Sequence, residues 1–170
     1  MSVDEREVNA RLFFALVPPR ALQQALGEVA RDVASRVHGR PVQPANIHMT
    51  IAFIGAWPLA RLDVLMNVGA QLVAPAMDIV LDSIGRFRRA GIAWMGASTP
   101  PPELSLLASS LATKLAAVNV SLAERRFHPH LTLARKCRES QPIASAGPYA
   151  WHVDAVTLMR SETRAEGPRY

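Results

Sequence analysis

One short pattern occurs twice in the sequence, once in each half: His48-Met49-Thr50 and His130-Leu131-Thr132, each followed by an apolar residue, Ile51 or Leu133. Both triplets fall in stretches that read as β-strands. Asn46 to Gly55 is rich in β-branched and aromatic residues and is bounded by Pro44 and Gly55, and Pro129 to Lys136 has a similar apolar run. Side chains alternate across a strand, so His and Thr at i and i+2 share one face while Met49, Ile51, Leu131 and Leu133 take the other. Each strand then carries a polar pair on one side and a core-forming row on the other. A fold that brings these strands together converges two imidazoles and two hydroxyls on one cleft.

The remaining elements suit such a fold. Arg11 to Val17 is an apolar run stopped by Pro18-Pro19, which reads as a buried strand. From Arg20 to Val37, Leu22, Leu26, Val29, Val33 and Val37 recur at helical spacing. A second helix is expected from Leu59 to Val73, and Leu104, Leu107, Leu111 and Leu115 mark a third. Met77 to Phe87 and Gly91 to Ala97 read as a hairpin turning through Arg88-Arg89-Ala90-Gly91. Beyond a Pro- and Ser-containing loop from Glu139 to Pro148, Trp151 to Ser161 reads as a last strand. The order predicts an α+β protein with mainly antiparallel pairing, and 170 residues without a long linker predict one domain over 1–170.

Composition narrows the class. The only cysteine, Cys137, forms no internal disulfide and supplies no thiolate cluster, which fits a reducing cytoplasm. The N-terminal stretch lacks a signal-peptide pattern, and no run approaches the ~20 apolar residues of a membrane span, so a soluble protein without membrane attachment is expected. Nineteen basic residues against 14 acidic ones give a charge of +5, and Lys114 and Lys136 are the only lysines. Arginine's planar fork suits phosphate, but biased codon usage produces the same balance, so charge alone names no partner. Its placement says more: Arg86, Arg88 and Arg89 form one cluster, and Arg125, Arg126, Arg135, Lys136 and Arg138 surround the second triplet.

The paired triplets match the needs of a phosphoester displacement. A neutral histidine takes a proton from the attacking oxygen, a protonated one gives a proton to the leaving oxygen, and hydroxyls donate to the non-bridging oxygens. A histidine pKa near 6.5 lets both forms coexist at neutral pH. No metal or other cofactor is called for. A metal site would draw on His128, His130 and His48 or His152, but His128-Pro129-His130 lacks zinc-ligand spacing and no cysteine set or carboxylate pair lies nearby in sequence. A lone His-x-Thr is usually structural; two in matched contexts are a stronger signal.

These residues resemble the two-histidine phosphoesterases, and among them the bacterial and archaeal RNA 2′,3′-cyclic phosphodiesterases, also called 2′-5′ RNA ligases. The resemblance runs through Arg11 to Leu16, Asn46 to Gly55, Trp94-Met95-Gly96, Phe127 to Arg135, Leu158 to Ser161 and Gly167 to Tyr170. Ile51 and Ile54 stand where the family commonly has leucine, and its chains usually continue past the tyrosine at 170. It implies a bilobal fold: two pseudo-symmetric, mainly antiparallel sheets around a central groove, with helices outside. It implies hydrolysis of a terminal 2′,3′-cyclic phosphate to a 2′-phosphate, with His48 as proton donor to the 3′ oxygen and His130 as proton acceptor from water. Thr50 and Thr132 would hold phosphate oxygens, and the reverse reaction would join RNA ends through a 2′-5′ linkage without ATP. Arg135 matches an arginine associated with substrate phosphate, although strict alternation puts it opposite Thr132 unless a bulge intervenes. Phe14 is a candidate wall for base or ribose. The implied partners are RNA termini or nucleotide 2′,3′-cyclic phosphates, and the implied state is a monomer. Two other readings stay open: a sister activity on a small cyclic nucleotide or ADP-ribose cyclic phosphate, and a non-catalytic RNA-binding module.

Overall fold

The computed structural model describes residues 8–73, 76–123, 126–138, 146–164 and 167–169. Arg125, Tyr170 and most of the expected loop from Glu139 lie outside these residues. Ten strands and three helices are described: β1 (Asn9–Leu16), α1 (Arg20–Arg36), β2 (Arg40–Pro41), β3 (Met49–Pro58), α2 (Leu62–Ala70), β4 (Met77–Leu81), β5 (Ser83–Phe87), β6 (Ile92–Gly96), α3 (Pro102–Ala117), β7 (Leu131–Arg135), β8 (Tyr149–Val153), β9 (Thr157–Arg164) and β10 (Gly167–Arg169).

Two four-stranded groups, β10-β9-β1-β3 and β7-β6-β5 with β2 beside β7, meet where β3 touches β7, while β4 and β8 form a separate ribbon. All recorded pairings are antiparallel. The junction is narrow, resting on the Met49 to Leu131 pair, so the long sheet is two halves joined at one point. The helices cross between halves: α1, which follows β1, packs on β7, while α3, which precedes β7, packs on β3. Each half therefore closes its core with a helix placed by the other half's chain.

Helix composition explains the packing. The stripe in α1 buries Leu26, Val29 and Val33, and Leu104, Leu107, Leu111 and Leu115 of α3 are all buried. With Leu12, Leu16, Met49, Leu131 and Leu133 these residues form one continuous core on the helix side of the sheet.

Two expected strands are each divided. The run from Met77 to Phe87 breaks at Asp82, whose carboxylate accepts hydrogen bonds from the Ser98 backbone N–H and hydroxyl, both at 2.7 Å. The first part leaves to pair with β8 and only the second forms the hairpin with β6. Likewise the stretch from Trp151 supplies two strands, β8 ending at Val153 and β9 starting at Thr157, in different sheets. Apolar alternation marks extended backbone but does not say when a chain changes sheet.

Candidate active site

The junction of the two halves decides the geometry. Met49 stands directly opposite Leu131, so the two triplets run past each other in opposite directions across the junction. Met49 and Leu131 are fully buried on the helix side, so the two His-Thr pairs face the other way. All four line a groove of about 310 Å³.

Each triplet is followed by the same backbone device. Trp94 pairs with Thr132 and Ala93 with Ala134, leaving Leu133 as an extra residue in β7. This bulge reverses the alternation: Ala134 turns into the core and Arg135 joins Thr132 in lining the groove. In the first half Ala15 pairs with Thr50 and Phe14 with Ala52, leaving Ile51 as the extra residue. There Ala52 is buried, and Phe53 opposite Phe13 reaches the groove. The groove thus receives His48, Thr50 and Phe53 from one half and His130, Thr132 and Arg135 from the other.

The imidazoles are held alike. The Nδ1–H of His48 donates to the Asn46 carbonyl at 2.8 Å, and that of His130 to the His128 carbonyl at 2.7 Å. A carbonyl only accepts, so Nδ1 carries the proton and the lone pair of the neutral ring sits on Nε2. A phenylalanine packs on each ring, Phe13 on His48 and Phe87 on His130, both with centroids 4.9 Å apart. His128 stands at the rim beside Trp94 at 4.7 Å and His130 at 5.9 Å. Gly85 makes room for this wall, because a β-carbon there would overlap the Trp94 indole.

Both histidines are pushed below the ordinary histidine pKa. For His48 the largest cause is burial; its bond to the Asn46 carbonyl opposes the shift, and the charges of Arg135 and His130 add to it. For His130 burial again leads, the bond to the His128 carbonyl opposes it, and His128 and Arg135 add to it. The groove's own residues therefore favour neutral rings, and an anion placed among them favours protonation. Among the described residues no cluster of three His, Cys, Asp or Glu side chains is placed to hold a metal ion. Nor is any helix long and apolar enough to cross a membrane.

Residues 18–165 match the family model of the 2′-5′ RNA ligase superfamily. The chain belongs to this superfamily. It is 30% identical over 161 residues to the RNA 2′,3′-cyclic phosphodiesterase of Escherichia coli (strain K12), covering 94% of this chain and 92% of that protein. The enzyme of the same name from Thermus thermophilus is 30% identical over 174 residues, covering 94% and 86%. Among solved structures, E. coli LigT complexed with 3′-AMP superposes with a TM-score of 0.88 at 29% identity, covering 96% of this chain and 94% of that one. TT0787 of T. thermophilus gives a TM-score of 0.77 at 27% identity, covering 94% and 93%.

In this member of the 2′-5′ RNA ligase superfamily one expected wall residue is misplaced. Phe14 is 1% exposed and packs in the core, close to Gly69 of α2, whereas its neighbour Phe13 faces the groove. Every residue from Phe13 to Leu16 is buried, so apolarity alone does not reveal which parity meets the groove. Sequence reading also passed over Phe53, half exposed in the groove, and Arg11, whose guanidinium lies 5.4 Å from the Phe53 ring centre. A signal was present: Phe53 follows His48 by the same interval as Arg135 follows His130.

Proposed function

We propose that this chain hydrolyses RNA 2′,3′-cyclic phosphate ends to 2′-phosphomonoesters without a metal, His48 acting as general acid and His130 as general base. The observation that carries this reading is the convergence of both triplets on one groove, with each histidine's Nδ1 pinned to a carbonyl. The whole chain acts as one catalytic unit, since each half supplies one triplet.

Water forms the new bond to phosphorus while its proton passes to Nε2 of His130. The P–O3′ bond breaks, and O3′ takes the proton from Nε2 of His48. Exchange with solvent then returns the rings to their starting forms. The assignment of acid to His48 and base to His130 follows the family resemblance. Thr50 and Thr132 donate their hydroxyl hydrogens to the non-bridging oxygens, and the fork of Arg135 meets the charge on the phosphorane. Phe53 offers its exposed face to the terminal base, a contribution of about 1–3 kcal/mol per stacked base. Binding also prepares the acid, because the phosphate charge offsets that of Arg135 and opposes the lowering of the His48 pKa. A 5′-hydroxyl in place of water would give the 2′-5′ linkage.

Incubating the protein in EDTA with a short RNA ending in a 2′,3′-cyclic phosphate, and resolving the product by phosphorus NMR, tests the reading. A 2′-phosphate is expected. A 3′-phosphate, or activity lost with the chelator, overturns it.

A further inference from the structure

Beside the groove lies a pairing that packing does not explain. Arg40 of β2 stands directly opposite Arg135 of β7. Residues opposite each other in an antiparallel pair project to the same side, so Arg40 sits on the groove side, one strand over from Arg135. Like charges in this position destabilise a sheet unless something negative lies between them. Among the described residues the arginine ion pairs are Arg31 with Glu28, Arg36 with Asp32 and Arg160 with Glu162, and none involves Arg40 or Arg135.

The same corner gathers more charge. The backbone N–H of Cys137 bonds to the Gly91 carbonyl at 3.0 Å, and that of Arg138 to the Val37 carbonyl at 3.0 Å. The N–H of Val42 bonds to the Leu133 carbonyl at 2.8 Å. These bonds tie the end of β7 to the β5–β6 turn, to the end of α1 and to β2. Arg88, Arg89, Lys136 and Arg138, all exposed and outside any of those ion pairs, are thereby gathered at the end of β7, with the β5–β6 turn on one edge of that strand and Arg40 on the other. The patch is continuous with the groove through Arg135.

We propose that this corner is a track for the RNA strand leading into the groove, with Arg40 holding the phosphodiester next to the terminal nucleotide. The proposal rests on the cyclic phosphodiesterase reading above and deepens it. Besides the cyclic phosphate itself, such an RNA has phosphates only upstream of the terminal nucleotide, and a nucleoside 2′,3′-cyclic phosphate has no other. The chain is therefore built for oligonucleotide ends, and small cyclic nucleotides use only the central groove.

The test compares kcat/KM for a nucleoside 2′,3′-cyclic phosphate and for a short RNA ending in the same nucleotide. It uses the unaltered chain, Arg40→Gln, and Arg40→Gln combined with Arg88→Gln and Arg138→Gln, at several salt concentrations. With the RNA the triple variant is expected to lose about tenfold, and its log–log salt slope to flatten by about 0.7 for each contact removed. With the mononucleotide it is expected to match the unaltered chain. Thermal melting should show an equal or higher Tm, since repulsion is being removed, which separates lost binding from lost folding. Equal losses on both substrates would place Arg40 at the reacting phosphate and overturn the proposal, as would an unchanged rate and salt slope with the RNA. If the unaltered chain turns over neither substrate, the phosphodiesterase reading itself fails and the proposal with it.

Discussion

The segments His48 to Phe53 and His130 to Arg135 are the same device built twice, differing where it matters most. Both place His and Thr on the groove side, insert one bulged apolar residue, bury an alanine and return to the groove at the next position. There the first half presents an aromatic ring and the second a guanidinium. The frame is nearly symmetric, but the substrate is not, having a base on one side and a phosphate at its reacting end. The pair Phe53 and Arg135 supplies the asymmetry that a twofold arrangement of His and Thr lacks.

Removing either histidine breaks the device most severely. His48→Ala and His130→Ala are each expected to reduce single-turnover hydrolysis by about 10³-fold or more, and the double variant to lose little further, because acid and base act as a unit. A double variant that lost the product of the single losses would show that the two rings act independently. Arg135→Ala should follow at about 10²-fold in kcat, with partial recovery in Arg135→Lys, which keeps the charge but not the fork. Phe53→Ala should cost about tenfold, mostly in KM, while Phe53→Trp retains binding. Phe14→Ala provides the contrast within one strand: about 3–5 kcal/mol of stability lost on denaturant unfolding, through a core cavity and not through the groove.

The smallest expected effect is a displacement of pH profiles. Burial lowers both histidine pKa values, so the bell in kcat/KM, which reports the free enzyme, should be centred below the ordinary histidine value. Bound phosphate opposes Arg135, so the bell in kcat should move to higher pH, and Arg135→Ala should shrink the gap between the two. The same shifts set the sign for stability. A histidine whose folded pKa is lowered contributes fully above its unfolded value and loses that contribution as pH falls through the folded pKa. Melting in the absence of substrate should therefore weaken on acidification through this range, and inorganic phosphate should blunt the effect.

Much of the site was legible in the residues. The two triplets, their strand context and their shared face follow from alternation, and the helices follow from leucine and valine spacing. Arg135 shows the boundary of that legibility. Alternation sends it to the helix side, and only the bulge at Leu133 returns it, a feature that depends on how β6 pairs with β7. Phe14 fails for a different cause: its apolar run hides parity, and the marker lies earlier in the strand, where exposed Asn9 and Arg11 share the parity of Phe13. The division of two expected strands between sheets had no local signal either.

The chain's own order of residues determined which groups are available and which of them share a face, because strand and helix periods are properties of the backbone. Tertiary structure decided that the two triplets converge on one groove, and that Phe53 and Arg135 turn back into it. It also set Arg40 beside Arg135. Those outcomes belong to pairing register and bulges, which arise only when distant strands hydrogen-bond, and periodicity within one segment contains no information about its partner.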